Sequence, residues 1–199
     1  IGISSMRSVS GTYNTAVGSY SGNVLSSGNS NTIIGYGSGQ YMTTASYHTA
    51  VGFEALKGTS GSTTGSANIG IGYKAGHVMS TGGYNIAMGY DSLKANTTGS
   101  RNIAIGHQSL DAADTENDNI AIGYAALGGP VAGGNSNVAI GSYSLDAVTS
   151  AVGSVGIGYN AGTAVTTGHY NIGIGYRALD ANTTGSNIIS IGKDSCGGD

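Results

Sequence analysis

The sequence predicts an all-β protein, a parallel β-solenoid of about twelve coils of about 17 residues each. A five-residue phrase, Asn-Ile-Ala-Ile-Gly or a near copy, returns along the whole chain of 199 residues. Its last glycine recurs after 17, 17, 20, 17, 17, 17, 18, 17, 17 and 17 residues. So short and steady a period is typical of solenoids, in which each coil packs only against the coils before and after it.

The composition suits tightly wound coils and excludes several classes of partner. Glycine accounts for 37 residues and only 9% of the chain is charged, yet Ile, Val and Tyr keep their register to the end, unlike in disordered segments. A net charge of -3 with seven scattered basic residues predicts no nucleic-acid binding. No apolar run approaches the roughly 18 residues that span a bilayer, so we expect no membrane insertion by this segment.

Positions 1 to 5 of each coil, counted from the Asn of the phrase, predict a strand and a corner. Asn stands at position 1 in eight of eleven copies, with His48, Ser154 and Ile188 as exceptions, which predicts a ladder of amide hydrogen bonds. Positions 2 and 4 are β-branched in most copies, so we expect them to face the core. The glycine at position 5 indicates a corner with unusual backbone dihedrals.

Position 3, between the two β-branched positions, is Ala, Gly or Ser in ten of eleven copies. A solvated position would accept larger polar residues, so we expect this second face to pack closely against other chains in a closed oligomer. A second sheet of the same flattened coil is the alternative cover. The candidate trimer-contact residues are Ala16, Ala50, Gly70, Ala87, Ala104, Ala121, Ala139, Gly156 and Gly173.

Positions 6 and 7 supply the candidate binding residues. Position 6 is aromatic in seven copies, which predicts a ladder of rings along one edge of the rod. The ladder is interpreted as structural, with a sugar-binding stripe as the alternative. Position 7 varies freely. The candidate surface-binding residues are Tyr36, Tyr73, Tyr90, Tyr124, Tyr159, Tyr176, Lys74, Gln108 and Arg177.

The rest of the coil carries packing and turn signals. Position 9 is Leu or Gly in every copy except the last, which has Cys196. Where it is Gly, position 12 is apolar, so one apolar side chain per coil is predicted to fill one fixed volume. Leu145 with Val148 breaks this rule. Turns such as Asn96-Thr97-Thr98-Gly99 close the coil. Longer coils at 57–67 and 128–136 predict loops on one edge.

The stretch Ser136-Asn137-Val138-Ala139-Ile140-Gly141-Ser142-Tyr143-Ser144 resembles the head repeat of trimeric autotransporter adhesins of the YadA type. The longer unit over 171–185 resembles repeats of phage and viral tail fibres. The resemblance implies a left-handed β-roll, three chains side by side, and attachment to a surface. The coil here is about three residues longer than the usual adhesin repeat and carries the Tyr position. A tail fibre is therefore an equal alternative.

The sequence offers little for catalysis or metal binding. The four histidines occupy four different repeat positions, and most acidic residues stand in variable positions, so we expect no enzyme and no catalytic residue, cofactor or metal. Asp111, Asp114, Glu116 and Asp118 gather in one coil, where a solvated edge is favoured over a calcium site. Thr-Thr pairs hint at an ice-binding array, but Asp114-Thr115 and Val131-Ala132 interrupt it.

We therefore interpret residues 1–199 as a single β-solenoid domain within a longer fibre protein, since the chain begins and ends inside the repeat pattern. The expected function is a non-enzymatic structural and adhesive segment of an extracellular homotrimer, on a bacterial cell surface or in a virion tail fibre. Its expected partner is a cell-surface glycan or protein receptor. A spacer shaft without ligand and an ice-binding solenoid are the alternatives.

Overall fold

The computed structural model describes residues 1–7, 9–60 and 63–197, and these residues form a β-solenoid without a helix. Each coil contributes one three-residue strand at positions 2 to 4 of the repeat. The strands are Thr15–Val17 (β1), Thr32–Ile34 (β2), Thr49–Val51 (β3), Ile69–Ile71 (β4), Ile86–Met88 (β5), Ile103–Ile105 (β6), Ile120–Ile122 (β7), Val138–Ile140 (β8), Val155–Ile157 (β9), Ile172–Ile174 (β10) and Ile189–Ile191 (β11).

The strands form one parallel sheet in chain order, and equal repeat positions pair throughout, as in Ala104 with Ala121. At about 4.8 Å per strand, the sheet is about 50 Å long. The predicted solenoid of 17-residue coils is confirmed, but it has about ten turns, not about twelve. The higher number included incomplete ends: Ile1 accepts a hydrogen bond from the Gly18 N–H at 2.7 Å without forming a described strand.

The predicted orientation of the strands is wrong. Position 3 is buried in every strand, whereas positions 2 and 4 point outward and are partly or largely exposed. The small residues therefore line the inside of their own coil and cannot be the contact with another chain. This correction applies to Ala16, Ala50, Gly70, Ala87, Ala104, Ala121, Ala139, Gly156 and Gly173, which face the interior, where a Cβ on Gly70 would clash with Leu56.

The narrow interior explains the inversion. Leu93, Leu110 and Leu127 at position 9 are fully or almost fully buried and already occupy the space opposite the strand. Only Ala, Gly or Ser fits across from such a leucine at the packing density of a protein interior. The large residue at position 3, Ile33, is accommodated because Gly22 and Gly39 stand at position 9 beside it. The β-branched residues therefore face the outside of the coil.

The predicted exchange between positions 9 and 12 is confirmed. Where position 9 is glycine, the position-12 side chain is buried in its place, as Met79 is beside Gly76. The exception at Leu145 and Val148 has a local cause. Both are buried, and Leu145 leans into the following coil, where a Cβ on Gly156 or Gly162 would meet its side chain at 2.8 and 2.7 Å.

The glycine at position 5 turns the corner after each strand, as predicted. Gly106 has a φ of 135°, which L side chains rarely adopt. A Cβ there would also overlap the carbonyl of Gly123, the equivalent glycine in the next coil. Both the dihedral angle and the close stacking of successive corners therefore require glycine.

The asparagine ladder exists, and its hydrogen bonds are mainly to backbone. The Asn102 side-chain amide donates to the Glu116 carbonyl across the coil at 2.7 Å, and its Oδ1 accepts the backbone N–H of Asn119 at 3.0 Å. Direct amide-to-amide bonds join only some neighbours, such as Asn85 to Asn68 at 3.1 Å. The ladder thus satisfies buried backbone groups that the three-residue strands leave unpaired.

His48 replaces asparagine in this ladder in its neutral form. Its Nε2 lies 2.7 Å from the Gly65 carbonyl, which only accepts, so Nε2 carries the proton. Nδ1 then accepts the backbone N–H of Asn68 at 3.1 Å. Burial lowers the pKa of His48, and the Gly65 carbonyl and the Asn68 carbonyl, which lies 3.3 Å from Nδ1, oppose the shift. Protonation of Nδ1 would place its N–H against the Asn68 N–H, which would lose its acceptor.

We expect His48 to make the protein acid-labile. Because its pKa is lower folded than unfolded, the unfolded chain binds more protons, so stability is complete above about pH 7 and falls as the pH drops below about 6.5. The His48→Asn variant should lose much less of its urea midpoint over this range than the wild type. Since burial also lowers the pKa of His77, the His77→Gln variant is the control, and it should retain most of the loss. Equal pH profiles for wild type and His48→Asn would contradict the assignment.

Candidate interaction surfaces

The outward face of the sheet carries two parallel columns of apolar side chains. Positions 2 and 4 are Ile, Val, Met or Thr in all eleven strands, and none is charged. Neighbours in a column cover one another, so most are half-buried. The more exposed members are Thr15, Val17, Thr32, Ile34, Met88, Ile189 and Ile191. The columns make a flat apolar strip about 50 Å long. We call it the strand face.

An aromatic ladder runs along the edge next to the strand face, as predicted. Successive ring centroids lie between 4.8 and 6.3 Å apart. Where position 6 is Ser19 or Ser142, the ring comes from position 7 of the same coil, Tyr20 or Tyr143, which restores continuity. The ladder consists of Tyr20, Tyr36, Phe53, Tyr73, Tyr90, His107, Tyr124, Tyr143, Tyr159 and Tyr176.

Most faces of these rings are already occupied by the neighbouring rings. Tyr36 and Phe53 stack at 11°, and Tyr73 and Tyr90 stack at 12°. A sugar ring needs a free aromatic face for stacking, whereas the ladder mainly presents its edges and hydroxyl groups. The geometry therefore favours the structural interpretation of Tyr36, Tyr73, Tyr90, Tyr124, Tyr159 and Tyr176 over a sugar-binding stripe.

Lys74, Gln108 and Arg177 share position 7 beside the ladder, but the structure does not bring them together. Their coils are separated along the rod, and each has a left-handed φ near 50°. The Lys74 ammonium lies 5.2 Å from the centroid of the Tyr73 ring, and Arg177 donates to Asp180 at 2.7 Å. They are separate polar residues on one edge and form no common site.

The densest charged cluster surrounds Glu54. Lys57, Lys74 and His77 all lie within 4 Å of its carboxylate. Burial would raise the pKa of Glu54, but the hydrogen bond from Lys57 and the charges of Lys57 and His77 lower it overall. Burial likewise lowers the pKa of His77 despite the nearby carboxylate. Through Lys57 and His77, the cluster links the start of the longer coil at 57–67 to the following coil. Residues 61 and 62 of that coil lie outside the described residues.

The acidic residues of the central coils do not converge. Glu116 is buried and accepts the backbone N–H groups of Asp114 and Gly133, both at 2.8 Å, which ties the turn to the longer coil at 128–136. Asp118 instead pairs with Arg101 in the preceding coil. Within residues 1–7, 9–60 and 63–197, no three His, Cys, Asp or Glu side chains form a group suited to a metal ion, and no pocket opens.

The threonine turns use part of their hydroxyl groups internally. Thr149 donates to the Thr166 carbonyl at 3.2 Å, and Thr166 donates to the Thr183 carbonyl at 3.0 Å. Thr167, Thr183 and Thr184 are exposed. Some threonine hydroxyls of these turns therefore bind the next coil, and others face solvent.

A second group of tyrosines was missed by the sequence reasoning. Tyr13, Tyr47, Tyr84 and Tyr170 lie one residue before position 1, which is His48 after Tyr47 and Asn after the others. They are far more exposed than the ladder rings, at 86%, 68%, 71% and 61%. They occur in only some of the coils, so aligning the repeats does not show a conserved tyrosine at this position. The signal available in the sequence was their shared place one residue before position 1.

The comparisons with known proteins identify no relative. The chain matches no protein-family model, and no curated protein or solved structure matches it. The described residues also contain no helix long and apolar enough to cross a membrane.

Proposed function

We propose that this chain is a non-enzymatic structural and adhesive segment of an extracellular homotrimeric fibre, an adhesin head or a tail fibre that attaches to a host or surface. The observation that carries the proposal is the strand face. Two uncharged columns of Ile, Val, Met and Thr run in register along all eleven strands, and a single rod leaves them partly in water.

The size of the strand face supports association of identical chains. A strip about 50 Å long and about 10 Å wide covers on the order of 500 Å², and contiguous exposed apolar patches of this size commonly mark interaction sites. Three chains around one axis keep all rods parallel and bury three identical faces, which suits a fibre with one direction. The contact that we propose therefore lies at positions 2 and 4, whereas the sequence analysis predicted it at position 3.

The mass of the 19.6 kDa chain in solution by light scattering tests the assembly. We expect about three times the chain mass, and a stable monomer over the micromolar range would contradict the proposal. Binding of the labelled assembly to candidate host cells then tests the adhesive part. A trimer that attaches to no cell surface would leave a spacer shaft as its function.

A further inference from the structure

We propose that the exposed tyrosines one residue before position 1 form a binding strip for a neutral linear polysaccharide lying along the rod. The strip comprises Tyr13, Tyr47 and Tyr84. This inference deepens the proposed adhesive function and rests on it, because it names the class of ligand and the residues that contact it.

Free aromatic faces are the first argument. No aromatic ring packs against Tyr13, Tyr47 or Tyr84 among the described residues, in contrast to the ladder, where each ring covers the next. All three side chains are at least two-thirds exposed. A tyrosine ring with an uncovered face presents an apolar surface to the C–H side of a pyranose and a hydroxyl to its rim.

The spacing of the rings is the second argument. Tyr13, Tyr47 and Tyr84 occur in every second coil, which sets them about 10 Å apart along the rod. The intervening coils carry Ser30 and Ala67 at the same position, so small side chains separate the rings. This interval is close to the length of a disaccharide in an extended 1,4-linked chain. Equivalent sugars of one polysaccharide would therefore meet successive tyrosines.

The backbone under the strip is held rigidly. The Tyr47 N–H donates to the Asn29 carbonyl and the Tyr84 N–H to the Ser66 carbonyl, both at 3.0 Å. The preceding turn is fixed by side chains as well, since Asn29 Oδ1 accepts the Thr12 N–H at 2.8 Å. A rigid, evenly spaced row of rings loses little entropy when it binds an extended chain. The strip itself is uncharged, which favours a neutral glycan.

The experiment is affinity electrophoresis of the intact chain through gels containing neutral 1,4-linked glucan, mannan or xylan, with hyaluronate as the charged probe. We expect retardation by at least one neutral polysaccharide. Tyr47→Ala should weaken it about tenfold, as expected for an aromatic hot spot. Ala67 shows that alanine is accepted at this position with the same left-handed φ.

Tyr170→Ala is the matched control. Tyr170 occupies the same repeat position with a φ of 56°, but Ser136 stands two coils before it, so no second tyrosine lies at the interval of the strip. Its removal should leave retardation unchanged. No retardation by any neutral polysaccharide, retardation by hyaluronate alone, or equal losses in Tyr47→Ala and Tyr170→Ala would overturn the inference. Light scattering on each variant separates this outcome from failure of the trimer, since binding by a monomer would contradict only the assembly.

Discussion

Replacing Ala104 with aspartate is expected to unfold the central coils, whereas the same replacement at the next residue, Ile105, is expected to leave the coil folded. Ala104 is fully buried inside β6, so the variant confines an unpaired carboxylate and extra volume there. Such a charge costs about 3 to 5 kcal/mol, a large share of the roughly 5 to 15 kcal/mol that stabilises a typical domain. Urea unfolding followed by circular dichroism measures the loss.

Ile105 lies on the strand face and is only half-buried, so aspartate there remains solvated in the single chain. In the proposed trimer, three carboxylates would meet in an apolar contact, and we expect the Ile105→Asp variant to sediment as a folded monomer. The two variants differ only in which side of the strand receives the charge. An Ile105→Asp variant with the mass of the wild type would exclude the strand face as the chain contact.

Replacing Asn102 with alanine is expected to lower the free energy of unfolding by about 3 kcal/mol, through the loss of partners for two buried backbone groups. The Asn119 N–H would lose its acceptor and the Glu116 carbonyl would lose the amide donor. Each unsatisfied buried group costs about 1 to 3 kcal/mol. The midpoint of urea unfolding, with the slope of the transition checked for change, gives the value.

The neighbouring residue supplies the control for Asn102. Arg101 is exposed and pairs with the exposed Asp118, and solvent screens such surface pairs so that they contribute little to stability. Arg101→Ala should therefore shift the midpoint only slightly. If Arg101→Ala proves as destabilising as Asn102→Ala, the ladder is not the main source of stability at this level of the rod.

Much of the candidate surface was predictable because a residue type that recurs at one repeat position can be recognised in the aligned coils. The aromatic ladder followed from position 6, although the contribution of Tyr20 and Tyr143 needed the structure, since both come from the adjacent position. The tyrosines one residue before position 1 were not predicted as a group. They alternate with Ser30 and Ala67, and only the exposure of their rings sets them apart from the ladder.

The sequence by itself determined the coil length, the parallel strands, the glycine corner and the asparagine ladder, because each depends on a residue type repeated at one position. The tertiary structure decided which side of the strand faces inward. Period-two alternation marks two faces without saying which is the core. That choice depended on volume: Leu110 and its equivalents fill the narrow coil, so Ala104 fits inside and Ile105 must lie outside, where it forms the strand face.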